Sequence, residues 1–254
     1  MPEPRITALI VARNEEANLP GCLASVAFAH ERIVVVDTSS EDDTLGVARR
    51  LADVVLVRPF DDFASQRNAG REAASGDWIL SIDADERATP ELAVEIARAL
   101  VDPSNPHAGF RIPIRSEILG RPFGYSGTQQ DLPLRLFRRD RGAWTGRVHE
   151  TVQLDGTTGR MLGPLDHRTL PDVRVFLHKI DQYTSLEARD LHRAGARFRA
   201  TDLTLRPAWL FLKLYLYKQG FRDGLEGLMF CALSGVSAAV RTWKLRELDH
   251  MEVT

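Results

Sequence analysis

Trp78-Ile79-Leu80-Ser81-Ile82-Asp83-Ala84-Asp85-Glu86 is an apolar run that closes in three carboxylates. Bounded on its N-terminal side by Gly76-Asp77, the run reads as a buried strand. The acids then stand where the strand leaves the sheet, the edge at which open α/β sheets bind ligands. Asp83 and Asp85 are two apart, so strand spacing predicts that they project to one side. Two hard oxygen donors at one point suit Mg²⁺ or Mn²⁺, with substrate phosphates completing the shell. An isolated D-x-D is more often a pair of solvated acids, so the surrounding chain has to decide.

Toward the N-terminus the pattern is strand, helix, strand, helix, strand. Ile6 to Val11 is a continuous apolar strand, and the turn Arg13-Asn14-Glu15-Glu16 follows it. Asn18 is placed to cap a helix through about Ala29, on which Leu19, Cys22, Leu23 and Val26 share a face. Ile33 to Val36 is a second buried strand and ends at Asp37. A helix from Asp43 or Thr44, a third strand Val54 to Val57 and a helix from about Phe63 to Ala74 complete the approach to the D-x-D. Such alternation predicts a mostly parallel, Rossmann-like sheet flanked by helices. Three polar clusters therefore converge at the carboxyl ends of three strands. No G-x-G-x-x-G follows the first strand and no G-x-x-x-x-G-K-[ST] occurs, which argues against dinucleotide and P-loop sites.

Toward the C-terminus, the stretch from about Asp102 to Asp172 is broken by Pro103, Pro106, Pro113, Pro122, Pro133 and Pro164 among others and carries short apolar segments. Ile112 to Ile118, Leu132 to Phe137 and Val148 to Leu154 read as strands that finish the sheet and build an acceptor pocket. From Asp181 the pattern turns helical and basic, with Pro207 expected to separate two helical portions.

Composition bounds the rest. A chain of 254 residues, 44% hydrophobic, can bury one substantial core with an appendage. A net charge of −2 gives no footprint for nucleic acid. Cys22 and Cys231, without metal-ligand spacing, point to a reducing compartment. The run Ile6 to Ala12 lacks the length and cleavage site of a signal peptide, and no charge-free run reaches about 18 residues. A cytoplasmic location is expected, either in solution or at the inner face of the membrane.

Five motifs in order carry a family resemblance. They are I-T-A-L-I-V-A-R-N-E-E (Ile6 to Glu16), V-V-V-D-T-S-S-E-D-D-T (Val34 to Thr44), Q-R-N-A-G (Gln66 to Gly70), S-I-D-A-D-E (Ser81 to Glu86) and G-R-V-H-E (Gly146 to Glu150). The chain resembles the family 2 glycosyltransferases of the GT-A fold, and within them the branch that builds bacterial lipopolysaccharide core. The resemblance implies an inverting, metal-dependent hexosyltransferase that uses a nucleotide-sugar donor, by family tendency UDP-linked. The implied acceptor is a lipopolysaccharide-core or other lipid-linked glycan. It implies a domain over 1–185, nucleotide-binding in 1–100 and acceptor-side in 101–185, with a helical extension over 186–254.

The resemblance also assigns roles. Ala12, Asn14 and Glu15 would line the nucleotide pocket, and Asp37 would accept a hydrogen bond from the pyrimidine ring N–H. Arg67 and Asn68 would reach the donor, the guanidinium gripping the diphosphate. Asp85 would bind the metal directly, and Asp83 the ribose or the metal through water. His167 sits where related enzymes supply a late metal ligand. Glu150 would be the general base of an inverting transfer, with His149 the alternative base or an orienting partner. Trp144 would stack on an acceptor sugar or serve the core. A GT-A-like nucleotidyltransferase and a non-catalytic sugar-nucleotide binder are the competing readings. The first lacks its basic, glycine-rich loop, and the second sits poorly with retained Asp85 and Glu150.

Arg206 to Arg246 holds seven basic and two acidic residues, interleaved with aromatic and aliphatic side chains. That composition suits an interfacial element on an anionic leaflet, or a helical pair packed on the protein or on a second copy.

Overall fold

The computed structural model describes residues 4–128, 132–146, 150–170 and 172–251. They fall into two units, Met1–Ile114 with Asp131–His167 and Arg115–Gln130 with Arg168–Thr254.

In the first unit the expected alternation is present as β1 (Ile6–Ala12), α1 (Leu19–Ser25), β2 (Glu31–Asp37), α2 (Thr44–Leu51), β3 (Val54–Arg58), α3 (Phe63–Ala73) and β4 (Trp78–Ser81). After a tight turn come β5 (Glu86–Ala88), α4 (Pro90–Val101), β6 (His107–Arg111), β9 (Leu134–Arg138), β10 (Gly142–Thr145), β11 (Thr151–Leu154) and β12 (Thr157–Arg160). β13 (Leu165–Leu170) follows, and its first residues pair antiparallel with β5. The main sheet has seven strands in the order β12-β6-β9-β4-β1-β2-β3. β1 pairs in parallel with β2 and β4, β2 with β3 and β6 with β12, while β9 runs antiparallel to both β4 and β6. The mostly parallel α/β sheet expected from the alternation is the one observed.

Both faces of that sheet are covered, which explains why its central strands are apolar throughout. On β1, Ile6, Ala8, Ile10 and Ala12 join one core cluster with Leu19 and Leu23 of α1 and Leu92 and Ile96 of α4. Leu9 points the other way, into a second cluster with Ala64 of α3, Phe137 and Trp144. Helix α3 lies so close to the sheet that a Cβ at Gly70 would run into Leu9 Cδ1.

Several local expectations are corrected. Helix α1 ends at Ser25 and gives way to turns through Ala29. Asn18 does not cap it, because its amide donates to Glu15 Oε2 at 2.8 Å. The strand expected over Ile112 to Ile118 begins only at Ile114, as β7 (Ile114–Ile118), after Pro113, which has no N–H to donate, and β6 before it was not expected. The strand expected from Val148 is described only from Thr151.

In the second unit, β7 pairs with β8 (Arg121–Pro122), and α5 (Val173–Arg193), α6 (Ala200–Leu212) and α7 (Gly224–Met251) follow. Cys231, Ala238, Thr242 and Leu245 form a buried stripe along α7 at helical spacing. Residues 220–250 are long and apolar enough, by length and composition, to cross a membrane. Pro207 lies inside α6 and does not divide it. A Cβ at Gly235 would come within 3.1 Å of the Pro207 carbonyl, so α7 approaches α6 at the proline and the packing offsets the lost hydrogen bond. The break comes later, at a π-helical turn over Lys213–Tyr217.

Candidate active site at the carboxyl ends of the strands

The turns after β1 and β2 are stitched together. Asn14 adopts a left-handed backbone, φ 56°, which asparagine tolerates better than most residues. Its side-chain oxygen accepts from the Glu41 N–H at 2.8 Å, and the Glu15 N–H donates to Thr44 Oγ1 at 2.7 Å. The Glu16 N–H donates to Asp42, and the Asp43 N–H to Glu16, each at 3.0 Å. Ala12 is buried in the core, so only its main chain faces this end of the sheet.

Asp37 closes β2 with its side chain 3% exposed. One carboxylate oxygen accepts from the Ser39 N–H at 2.9 Å. The other is buried without a hydrogen-bond partner among the described residues, with Arg13 Nε 3.8 Å away. A buried carboxylate oxygen in that state costs free energy unless a donor reaches it.

The D-x-D does not follow strand geometry. β4 ends at Ser81, and the Glu86 N–H donates to the Asp83 carbonyl at 2.9 Å, closing a tight turn. Asp83 and Asp85 therefore separate instead of projecting together. The Asp83 carboxylate accepts from Arg67 at 2.7 Å and from Arg135 at 2.9 Å, one guanidinium to each oxygen. Burial opposes its charge, but the two guanidiniums outweigh burial and hold the carboxyl far below the usual carboxylate range. Glu86, 1% exposed, accepts from Arg135 at 2.7 Å and from the Asp83 N–H at 2.9 Å. Burial dominates there and pushes its pKa up to about 7, against the lowering effect of Arg135.

Asp85 turns the other way. Its carboxylate lies 3.1 Å from His167 Nε2, which reaches the turn because β13 pairs His167 with Glu86. Burial lowers the His167 pKa, but the hydrogen bond and charge of Asp85 prevail and raise it. Two donors bound cis on one octahedral ion at about 2.1 Å stand about 3 Å apart. The Asp85–His167 pair has that spacing, and a mixed oxygen–nitrogen set suits Mn²⁺. Among the described residues no third His, Cys, Asp or Glu joins them, so substrate oxygens and water would have to complete the shell.

Arg67 also donates to Ser81 Oγ at 2.8 Å, and its Nε lies 3.6 Å from Glu150 Oε1. This arginine is buried and holds the turn, the strand end and Glu150 at once. The Asn68 amide exchanges two hydrogen bonds with the Trp144 main chain, at 2.9 and 3.0 Å, and so fixes β10 against α3. Trp144 is 6% exposed and packs edge-on against Phe137, with centroids 5.0 Å apart, which makes it chiefly a core residue. Together Arg67, Asp83, Arg135, Trp144, Glu150 and Arg111 line a cavity of about 310 Å³. His149 lies outside the described residues.

Sequence reading missed Arg135 and Glu86 as parts of this site. Arg135 had one available signal, a cation inside the apolar run Leu132 to Phe137; Glu86 was quoted with the D-x-D but given no role.

Comparison with known proteins gives a consistent picture. The profile described as Glycosyl transferase family 2 matches residues 7–145. A lipopolysaccharide core biosynthesis glycosyltransferase, LpsC of Rhizobium meliloti, is 29% identical, with 96% of this chain and 93% of that protein covered. An uncharacterized glycosyltransferase of Rickettsia typhi is 27% identical, with 96% and 88% covered. Among solved structures, a mannosyltransferase of Pyrobaculum calidifontis in complex with GDP-Man and Mn²⁺ superimposes with a TM-score of 0.46 at 16% identity. That match covers 94% of this chain and 75% of the other.

Proposed function

Because the chain belongs to glycosyl transferase family 2, we propose that it is an inverting enzyme that moves a hexose from a UDP-sugar to a lipopolysaccharide-core or other lipid-linked glycan. The observation that carries this reading is the buried oxygen of Asp37 that accepts no hydrogen bond among the described residues, two strands from the D-x-D turn along β2-β1-β4. A pyrimidine ring N–H supplies the missing donor, and the diphosphate then extends toward the turn at the end of β4.

Asp85 and His167 would hold a divalent ion there. When bound, that ion compensates the charge on the departing nucleoside diphosphate. Asp83, paired with two arginines, positions the turn and leaves the metal to Asp85. Glu150 takes the proton from the acceptor hydroxyl, whose oxygen attacks the anomeric carbon from the face opposite the diphosphate. The new C–O bond forms as the bond to the diphosphate breaks, and the electron pair leaves with the nucleotide. Arg67 orients Glu150 through its contact at 3.6 Å.

Thermal unfolding tests the donor half. UDP with Mn²⁺ should stabilise the protein by about 2.7 kcal/mol at a hundred times its Kd, and excess chelator should remove most of that gain. Asp85→Ala should lose the metal-dependent part and keep the fold. Equal stabilisation by UDP with and without chelator would sink the metal assignment.

The second unit supports a peripheral membrane role at the inner face of the cytoplasmic membrane. Leu205, Trp209, Leu212 and Leu216 share one helical face and are 66%, 67%, 47% and 57% exposed. Tyr217, Phe221 and Leu225, next in the chain, are also exposed, and Lys213, Lys218 and Arg222 are interleaved with them in sequence. Apolar insertion beside cations fits an anionic leaflet, each cation contributing on the order of 1 kcal/mol. The protein should co-sediment with anionic vesicles, high salt should release only a fraction, and reversing those three cations to Glu should abolish binding. If neutral and anionic vesicles capture it equally, or if the native protein is instead a dimer through this face, the membrane reading fails.

A further inference from the structure

The cavity beside Glu150 holds three guanidiniums but only two of them are matched. Arg67 and Arg135 are bound to Asp83. Arg111, at the end of β6, donates to the Leu132 carbonyl at 3.2 Å and makes no ion pair among the described residues. Its neighbour in the parallel β6–β12 register is Arg160, which likewise has no hydrogen-bonding or ion-pairing side-chain partner among the described residues. Both are exposed. Partners in register on adjacent strands point to one face, with their backbones about 4.8 Å apart, so two arginines stand side by side at this sheet edge and neither is ion-paired among the described residues. Like charges opposite each other on neighbouring strands are destabilising, and they persist most readily where a ligand supplies the opposite sign.

Position says which ligand. Along β2-β1-β4-β9-β6, Arg111 is four strands from Asp37, roughly 19 Å at the spacing between strands. The D-x-D turn at the end of β4 lies midway. If the base sits at Asp37 and the diphosphate over the turn, β6 and β12 lie beyond the leaving group, and Arg111 at the end of β6 lines the cavity that Glu150 also lines.

We propose that Arg111 and Arg160 form an acceptor subsite for an anionic group, a carboxylate or a phosphate, carried by the glycan near the hydroxyl that Glu150 deprotonates. The proposal rests on the reading of Glu150 as the acceptor-side base. Two guanidiniums on adjacent strands grip one such group through parallel N–H···O bonds, which a neutral sugar does not offer. The subsite therefore selects among acceptors and leaves donor choice to the Asp37 side.

The test titrates glucose 6-phosphate, glucuronate and methyl glucoside into protein saturated with UDP and Mn²⁺, so that the donor phosphate positions are filled, and repeats the titrations without nucleotide. Calorimetry or NMR should find at least one anion bound about tenfold or more tightly than the neutral glycoside. The preferred anion identifies phosphate or carboxylate as the group. The R111Q/R160Q protein should bind all three probes alike, and R111K should retain part of the preference because it keeps charge without the fork. Stabilisation by UDP shows separately that each variant is folded and that the donor site is intact. Equal binding of anionic and neutral probes by the native protein overturns the subsite, as does an anion preference that survives R111Q/R160Q. Absence of UDP stabilisation overturns the donor reading instead, and the titrations without nucleotide then still decide the subsite.

Discussion

Glu150→Gln is expected to lower sugar transfer by about 10²-fold or more, with the affinity for UDP nearly unchanged. Glutamine keeps the shape of the side chain beside Arg67, but it has no basicity to take the hydroxyl proton. Nucleotide binding should survive because the Asp37 side and the D-x-D turn are untouched. Steady-state transfer and UDP titration on the same variant separate the two effects. His149→Ala should cost less than Glu150→Gln. A nearly normal Glu150→Gln protein alongside an inactive His149→Ala protein would move the base to the histidine.

Arg135→Leu is expected to have the largest effect on stability. Arg135 donates to both Asp83 and Glu86, and Glu86 is 1% exposed. Above pH 7, where Glu86 is charged, removing the cation strands one buried carboxylate and half of another, and breaking a buried ion pair in this way costs about 3–5 kcal/mol. Adding Glu86→Gln to Arg135→Leu should recover a large part of the loss, since the neutral amide can remain buried and can still accept from the Asp83 N–H. Chemical denaturation of the wild type, the two single variants and the double variant gives the coupling directly. Additivity of the two substitutions would mean that the pair does not act as a unit.

The legible parts of this molecule are those in which neighbours in sequence remain neighbours in space. Each βα repeat of the first hundred residues announces itself through local periodicity, and the strand ends fall where the polar clusters begin. Asp85 and Asp37 could be singled out because each ends or follows such a strand. What could not be read depends on long-range pairing. Arg135 enters the site because β9 inserts antiparallel beside β4, and nothing local in a short, proline-flanked segment fixes that neighbour. Asn68 faces the main chain of a residue 76 positions away, a use of an amide that a motif cannot reveal. Asp83 and Asp85 were given a common side because the strand was assumed to continue, whereas a single hydrogen bond at the turn sends them apart. Pro207 was read through its local cost, and the close approach of α7 overrides that cost.

Gly70 gives the motif Gln66 to Gly70 a second meaning. One helical turn before it, Arg67 must span the gap from α3 to the end of β4, and the helix is close enough only because position 70 has no side chain against Leu9. Substitution at 70 would therefore act on chemistry at a distance: any Cβ pushes the helix outward and lengthens the reach demanded of the guanidinium. For directed evolution of donor or acceptor choice, residues 67 and 70 are a single variable. Libraries should hold both fixed and place diversity where the sheet edge sets the pocket, along β6 and β12.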